Sequence, residues 1–171
     1  MTTPIPVVET PRLVLRAFRL GDLDAYAAMC ADEDVMRFIG SGGAVGRDVA
    51  WRHLALFLGS WSLVGHGMWA IERRDDGALI GRAGFLDPEG WPGCELGWLL
   101  ARDAWGHGYA FEASRAALEF GRRELGLNAL ISLIRPDNAR SIALAARLGA
   151  RDSGPIDFMG STALLYRHTE A

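Results

Sequence analysis

The sequence predicts an α/β fold, in which helices flank a mixed, mostly antiparallel central sheet within a single domain. Two patterns predict it. Short strands joined by a hairpin turn occupy residues 68–100, and helices and strands alternate from there to residue 149. The length supports the same conclusion, because 171 residues, half of them hydrophobic, can bury one sizeable core.

The domain is predicted to span residues 9–171, after a short N-terminal arm at residues 1–8. Pro4 and Pro6 favour an extended arm, and no repeat or long Ser-, Pro- or Gly-rich linker divides the remainder. The start lacks the basic end and apolar stretch of a secretory signal. No apolar run approaches the roughly 20 residues that cross a bilayer. We therefore expect a cytoplasmic protein with no membrane partner.

Charge and cysteine content exclude further classes. The net charge is −3 and no basic stripe is visible, so a nucleic-acid partner is not expected. Cys30 and Cys94 form no CxxC pair and have no histidine at metal-ligand spacing. The sequence thus predicts two reduced thiols and no metal.

The first half is predicted to contain one strand and two helices. Leu13–Arg16 has the composition of a strand. Asp22 lies near the N-cap of a helix that runs to about Ala31, with apolar residues at helical spacing. Residues 40–43 form a glycine-rich loop, and Arg47–Gly59 is predicted as the second helix.

The middle is predicted to be an antiparallel meander. Residues 68–72 form a strand, and Asp75-Asp76-Gly77 forms a hairpin turn, because Asp-Gly supplies the backbone angles such turns need. Residues 79–86 return as the partner strand. After a loop at residues 88–93, a further strand spans residues 94–100.

The second half alternates helices and strands. A helix runs from Gly108 to about Leu125, and Gly126 ends it. The apolar residues 129–134 are typical of a buried strand, and residues 138–148 form another helix. This order implies a right-handed parallel crossover beside the meander. The tail, at residues 158–166, is compatible with a closing hairpin.

The segment Trp105-Gly106-His107-Gly108-Tyr109-Ala110 connects a strand to a helix. Small residues there let backbone N–H groups turn toward one point, and the helix N-terminus adds positive dipole, as in a pyrophosphate cradle. A plain strand-to-helix turn needs small residues too, so both interpretations stay open. A P-loop is excluded because the turn has no Lys, and a Rossmann fingerprint because Phe111 replaces its third small residue.

A second segment, Asn138-Ala139-Arg140-Ser141, follows the predicted buried strand. Asn138 is placed to cap the helix, and its side chain is also able to bond a ligand amide. Ser141 lies one turn further on the same face. Capping alone would explain Asn138.

Four ordered segments together resemble the GNAT superfamily, in its branch of ribosomal-protein N-terminal (RimJ/RimL-like) acetyltransferases. They are Glu9–Arg16, Glu95-Leu96-Gly97-Trp98, Trp105–Ala113 and Asn138–Ser141 with its helix ending at Leu148-Gly149. The resemblance spans about residues 9–167. It implies a GNAT-like acyl-CoA N-acyltransferase fold and acetyl-CoA as co-substrate.

The resemblance also implies a role for each segment. Backbone amides around four residues would hold the CoA pyrophosphate: His107, Gly108, Tyr109 and Ala110. The central strand would splay from the next one, and pantetheine would fill the space against Leu99 and Leu100. Asn138 would bond the pantetheine arm, and Ser141 would lie near the CoA sulfur or a phosphate.

The expected reaction is direct attack of an amine on the thioester, which needs a base. Glu95 is the candidate, although a solvated residue on a half-exposed strand is the competing interpretation. Backbone N–H groups near Leu99 are expected to stabilise the oxyanion. Ser141 or a water would protonate the departing thiolate. Many superfamily members have a tyrosine acid four residues after Ser141, where this chain has Ala145.

The function predicted is therefore an N-acetyltransferase whose acceptor is a primary amine, either a protein N-terminus or a small amine. The missing tyrosine keeps an alternative open, an acetyl-CoA-binding sensor or scaffold without turnover. Loops at residues 38–47 and 88–93 are expected to set specificity, with Trp91 as a wall of the acceptor site. A homodimer is the default assembly.

Overall fold

A computed structural model describes residues 4–169 and arranges them around one eight-stranded sheet, in the order β1-β2-β3-β4-β5-β6-β8-β7. The strands are β1 (Val8–Glu9), β2 (Leu13–Arg16), β3 (Met68–Arg73), β4 (Leu79–Leu86), β5 (Glu95–Leu100), β6 (Leu130–Ile134), β7 (Arg151–Phe158) and β8 (Ser161–His168). The helices are α1 (Leu23–Cys30), α2 (Glu33–Met36), α3 (Arg47–Val64), α4 (Tyr109–Leu125) and α5 (Ala139–Arg147).

The predicted topology is confirmed. β2 to β5 form an antiparallel meander, β5 pairs with β6 in parallel, and the closing hairpin is β7–β8. Gly77 takes a positive φ of 70° in the β3–β4 turn, as the Asp-Gly signal predicted. Val8, which the sequence assigns to the N-terminal arm, belongs to β1 and pairs with Leu15 of β2.

The end of α3 and the role of Asp22 differ from the prediction. α3 continues past Gly59 to Val64, because Trp61 is buried and its indole Nε1 donates a hydrogen bond to the Met68 carbonyl at 3.2 Å. Packing here outweighs the low helix propensity of glycine. Asp22 does precede α1, but its side chain does not cap it. The carboxylate instead accepts two bonds from the Arg16 guanidinium, each at 2.8 Å.

Apolar side chains fill both faces of the sheet. On one face, α4 packs against a core that contains Trp69 and Phe85. On the other face, α1 and α3 pack against a core that contains Tyr26 and Phe57. At Gly121 the helix α4 approaches so closely that a Cβ would lie 2.4 Å from Phe85 Cζ. No helix within residues 4–169 has the length and apolarity to cross a membrane.

A buried polar relay connects β5, β6 and β8. The Ser132 hydroxyl donates to the Leu96 carbonyl at 2.6 Å, so its oxygen must accept the 2.9 Å bond from His168 Nε2. That assignment leaves His168 Nδ1 without a proton, and it has no partner among the described residues. Burial, with the nearby charge of Arg122, lowers the pKa of His168 to about 4.

Stability is therefore expected to fall on acidification. The folded state depresses the His168 pKa from 6.5 to about 4, so the unfolded chain binds more protons in that interval. The free energy of unfolding that this group contributes is fully present above pH 6.5. It is lost as the pH falls from 6.5 to about 4, by roughly 3 kcal/mol. Urea unfolding from neutral pH to about pH 4 would measure it. The matched variant His168→Gln retains a donor to Ser132 and should lose this part of the pH dependence; equal slopes in both proteins would contradict the assignment.

Candidate active site

β5 and β6 separate almost as soon as they meet. Their only register pair is Glu95 with Ile131, and Ile131 N donates to the Cys94 carbonyl at 3.0 Å. One residue further, the link is the Ser132 side chain instead of a backbone ladder. The edge of β5 after Leu96 is consequently open, and we call this opening the β5–β6 gap.

The backbone direction along β5 shows which groups face the gap. Ala101 N donates to the Ile80 carbonyl at 2.9 Å, so the backbone N–H and C=O groups of odd-numbered residues in β5 point toward β4. On the opposite edge of β5, the Leu96 carbonyl accepts a bond from the Ser132 hydroxyl, and the Leu100 carbonyl accepts one from Trp105 Nε1. Since direction alternates along a strand, the N–H groups of Trp98 and Leu100 face the gap. The expected donors near Leu99 are these two, because Leu99 N–H points toward β4.

A cavity of about 1010 Å³ continues from the gap, and we call it the large cavity. Its walls come from β5, the glycine turn with the start of α4, and α5. Seven of the predicted cofactor-binding residues line it: Leu99, Leu100, Gly108, Tyr109, Ala110, Asn138 and Ser141. His107 does not line it, and its carbonyl accepts a bond from Arg12 Nη1 at 2.9 Å.

The glycine turn exposes the first N–H groups of α4. Gly106 and Gly108 both have positive φ, 82° and 79°, which side-chain-bearing residues rarely adopt. Gly108 is the N-cap, and having no side chain it cannot satisfy the N–H groups that follow. The positive end of the helix dipole is added to them. The turn has the geometry of an anion site.

Glu112, which the sequence did not single out as functional, anchors this turn to the N-terminal segment. Its carboxylate accepts bonds from Thr10 Oγ1 at 2.7 Å, Arg12 N at 2.9 Å and Arg12 Nε at 2.6 Å. Partial burial opposes ionisation, but these bonds outweigh it and hold the pKa of Glu112 below its ordinary value. The Thr10–Arg12 part of the resemblance thus has a structural role beside the cradle.

Positive charge borders the large cavity. Arg140 lies over the Trp105 ring at 4.4 Å and Arg147 over Phe111 at 4.2 Å. Both line the cavity, and neither forms an ion pair with an acid in residues 4–169. Guanidinium groups of this kind suit phosphate. Their spacing of seven residues on α5 was a visible signal that they share a face.

Among the residues that the structure describes, Asn138 and Ser141 each keep one hydrogen-bonding group without a partner. Asn138 Oδ1 caps α5 by accepting from Ser141 N at 3.2 Å, which leaves its NH₂ group for another partner. Ser141 Oγ accepts from Trp98 Nε1 at 3.1 Å, so its own proton is available to donate. Capping and ligand binding are therefore compatible at Asn138.

Glu95 lies in a second, smaller cavity of about 290 Å³. The two cavities meet at Trp98, Asn138 and Ser141, which line both. Burial raises the pKa of the Glu95 carboxyl above its ordinary value, against a 2.8 Å bond from Trp91 Nε1 that lowers it. The carboxyl is half-buried in this cavity and is not a freely solvated surface group.

The predicted specificity residues lie inside the small cavity, and the position of the missing tyrosine acid lies outside it. Trp91 and the loops around Phe38 and Pro88 line it, as the specificity prediction requires. Ala145, at the position of the usual tyrosine acid, is fully buried against the core near Tyr166 and lines neither cavity. A separate cluster lies outside both cavities, where the carboxylate of Asp87 is within 4.8 Å of ligand atoms of His66 and Cys94, a proximity that sequence spacing did not reveal.

Comparison with known proteins adds an independent finding. Residues 12–151 match the family model described as an acetyltransferase (GNAT) domain. The chain is similar to the uncharacterised N-acetyltransferase YnaD of Bacillus subtilis, at 29% identity over 147 residues that cover 86% of this chain and 84% of the relative. An acetyltransferase structure from Agrobacterium tumefaciens superimposes with a TM-score of 0.87 at 31% identity, covering 99% and 98% of the two chains. RimL, a ribosomal L7/L12 alpha-N-protein acetyltransferase solved with coenzyme A, shares the fold at 15% identity, with a TM-score of 0.78 over 95% and 97% of the chains.

Proposed function

The chain belongs to the GNAT acetyltransferase family, and we propose that it transfers the acetyl group of acetyl-CoA to a primary amine by direct attack on the thioester. Membership makes it an acetyl-CoA-dependent acyltransferase. The observation that carries the proposal is the junction of the two cavities at Trp98, Asn138 and Ser141. One cavity offers an anion cradle and the other a half-buried carboxyl, and they meet at an open strand edge.

In this proposal the large cavity binds the CoA moiety. The N–H groups of Gly108, Tyr109 and Ala110, which line this cavity, hold the pyrophosphate at the positive end of α4. His107, which does not line it, is left out of the proposed set. Arg140 and Arg147 neutralise phosphate charge from α5. The pantetheine arm lies along the open edge of β5 beside Leu99 and Leu100, and the NH₂ group of Asn138 donates to one of its amide carbonyls.

The chemistry needs a neutral amine, because an ammonium has no lone pair. Glu95 accepts a proton from the incoming ammonium, directly or through a water, and the amine nitrogen then attacks the thioester carbonyl carbon. A raised pKa makes the Glu95 carboxylate a stronger base than an exposed one. The N–H groups of Trp98 and Leu100 face the place where the oxyanion forms. The C–S bond breaks, and the thiolate receives the second proton of the attacking nitrogen, passed on through Ser141 or a water.

The acceptor is proposed to be a primary amine, a protein N-terminus or a small molecule. A RimJ/RimL-like action on ribosomal protein is supported by the RimL neighbour and by the sequence resemblance. The small cavity, at about 290 Å³, is at the lower limit of small-molecule sites and favours a compact acceptor. We further propose a cytoplasmic homodimer, in keeping with two free thiols and the commonest symmetric assembly.

The test is a titration of the purified protein with acetyl-CoA, with desulfo-CoA, ATP and NAD as controls, followed by thiol release with a panel of amines. We expect acetyl-CoA to bind, ATP and NAD to fail, and thiol to appear only when an acceptor is added. Binding without thiol release from any amine would favour the sensor alternative, in line with the buried Ala145. Binding of ATP or NAD in place of acetyl-CoA would remove the proposal.

A further inference from the structure

Arg82 lies on β4 within the small cavity, on the same face of the sheet as Glu95. Its register partner is Leu99, and Leu86 on the same face pairs with Glu95. The side chain is only 6% exposed, and both Arg82 and Glu95 line the cavity. Gly97 lies between them on β5 and also lines the cavity. The Met68 side chain reaches the same space, since a Cβ at Gly97 would lie 3.0 Å from Met68 Cε.

The guanidinium of Arg82 has weak partners. Nε donates to Tyr26 Oη at 3.2 Å, Nη1 contacts Met68 Sδ at 3.6 Å, and the group lies 5.2 Å from the centre of the Phe57 ring. Nη2 has no hydrogen-bond partner within residues 4–169. No carboxylate in that range forms an ion pair with Arg82, although a buried cation is costly unless it is paired.

Apart from Glu95, the groups that surround Arg82 do not supply a negative charge. Burial raises the pKa of Tyr26 to about 12 and also raises the pKa of the Cys30 thiol, so both are protonated at neutral pH. Burial and the charge of Arg82 lower the pKa of His53, which is then a neutral imidazole. Glu95 is the one acid among the described residues that line this cavity, and it forms no ion pair with Arg82; burial raises its pKa, and the charge of Arg82 lowers that pKa by a smaller amount.

We propose that Arg82 binds a carboxylate of the acceptor, and that the acceptor is consequently an amino acid or a related small amino-carboxylate. The inference rests on the proposed acetyl transfer at the same site. With its carboxylate on the guanidinium, such an acceptor extends along the small cavity and presents its amine to Glu95. Arginine binds carboxylates with two parallel N–H bonds, which also fixes orientation. A protein N-terminus carries an amide at that position and would leave Arg82 unpaired.

Arg135 is the other arginine of the small cavity, and it supplies the control. Its Nη1 donates to Ser161 Oγ and to the Thr162 carbonyl at 3.3 Å, and its Nη2 donates to the Gly40 carbonyl at 2.8 Å. Its guanidinium is therefore engaged by the protein itself. It differs from Arg82 in having little bonding capacity left for a ligand.

The experiment compares amino acids with their own carboxamides as acceptors, by thiol release from acetyl-CoA. We expect the wild type to prefer the carboxylate form by at least about 100-fold in kcat/KM, because a site built for a charged partner rejects the neutral analogue. Arg82→Gln should remove the preference mainly through KM of the carboxylate form, Arg82→Lys should restore part of it, and Arg135→Gln should leave it in place. Equal use of both forms by the wild type, or loss of the preference in Arg135→Gln alone, would overturn the proposal.

A binding arm keeps the inference separate from turnover. The same carboxylic acids without their amino groups are titrated into the wild type, Arg82→Lys and Arg82→Gln, each checked for folding by circular dichroism. An affinity for these acids that falls at least about tenfold in Arg82→Gln supports the subsite, whether or not any amine is acetylated. A failure to acetylate any amine would count against the proposed function alone. Unchanged binding in a folded Arg82→Gln protein would sink the carboxylate subsite.

Discussion

Replacing Gly108 with Glu is expected to lower the affinity for acetyl-CoA by at least about 100-fold, which is roughly 2.7 kcal/mol. The substitution places a carboxylate at the N-cap of α4, next to the N–H groups proposed for the pyrophosphate. Two like charges about 4 Å apart near a protein surface repel by about 4 kcal/mol, more than the expected loss requires. The same side chain also competes for the helix N-terminus, which stabilises any nearby anion.

The measurement is calorimetric titration with acetyl-CoA and CoA. Part of any loss could come from backbone strain, because Gly108 has a φ of 79°. Gly126→Glu is the matched control: Gly126 ends the same helix with a φ of 67°, lies in open space and lines neither cavity. It should share the strain and keep the affinity. Normal affinity in a folded Gly108→Glu protein would show that the glycine turn is not the phosphate site.

Glu95→Gln is expected to reduce kcat by about 10² to 10⁴-fold and to change acetyl-CoA affinity much less, because general-base catalysis contributes factors of that size. Glutamine keeps the shape and accepts the bond from Trp91 Nε1, which is 2.8 Å in the parent protein. What it loses is the ability to take a proton. The expected signature is a loss in kcat and in kcat/KM together, with acetyl-CoA binding preserved.

The pH profile tests the assignment further. Glu95 acts only when ionised, so the rate must fall as pH drops through its pKa, which burial raises above 4.5. Trp91→Phe removes the indole donor that lowers this pKa, and should move the acid limb to higher pH. The limb should vanish in Glu95→Gln, while any limb from the amine's own ionisation remains in all three proteins. A wild-type rate in Glu95→Gln from neutral to alkaline pH would make Glu95 a bystander.

Local sequence signals were sufficient for most elements and for parts of the site. The strand bounds of β4 were predicted to the residue, and Gly77, Gly108 and Asn138 have the turn, N-cap and capping roles that their chemistry favours. These features depend on neighbours within a few positions, where backbone sterics and single hydrogen bonds decide the outcome. α3 shows the limit, because the sequence predicts that it ends at Gly59, whereas the packing of Trp61 extends the helix to Val64.

The two proposed binding sites depend on contacts that no local pattern contains. Arg82 gave no signal, because its burial and its lack of an acid partner result from β4 packing beneath α1 and α3. Glu112 and Arg12 are 100 positions apart in sequence and meet only when β2 and α4 lie side by side. Such contacts arise from the register of the whole sheet, where a one-residue slip would turn every side chain to the other face.

By itself, the sequence determined the α/β class, the meander, the crossover and the glycine turn before α4. Only the tertiary structure decided that β5 and β6 share a single register pair, that Trp98 and Leu100 turn their N–H groups into the gap, and that two cavities meet at Ser141. The physical reason is the distance along the chain over which each kind of interaction acts. Local patterns fix backbone conformation over a few residues, whereas the parting of two strands and the burial of a charge are set by the packing of segments far apart in the chain.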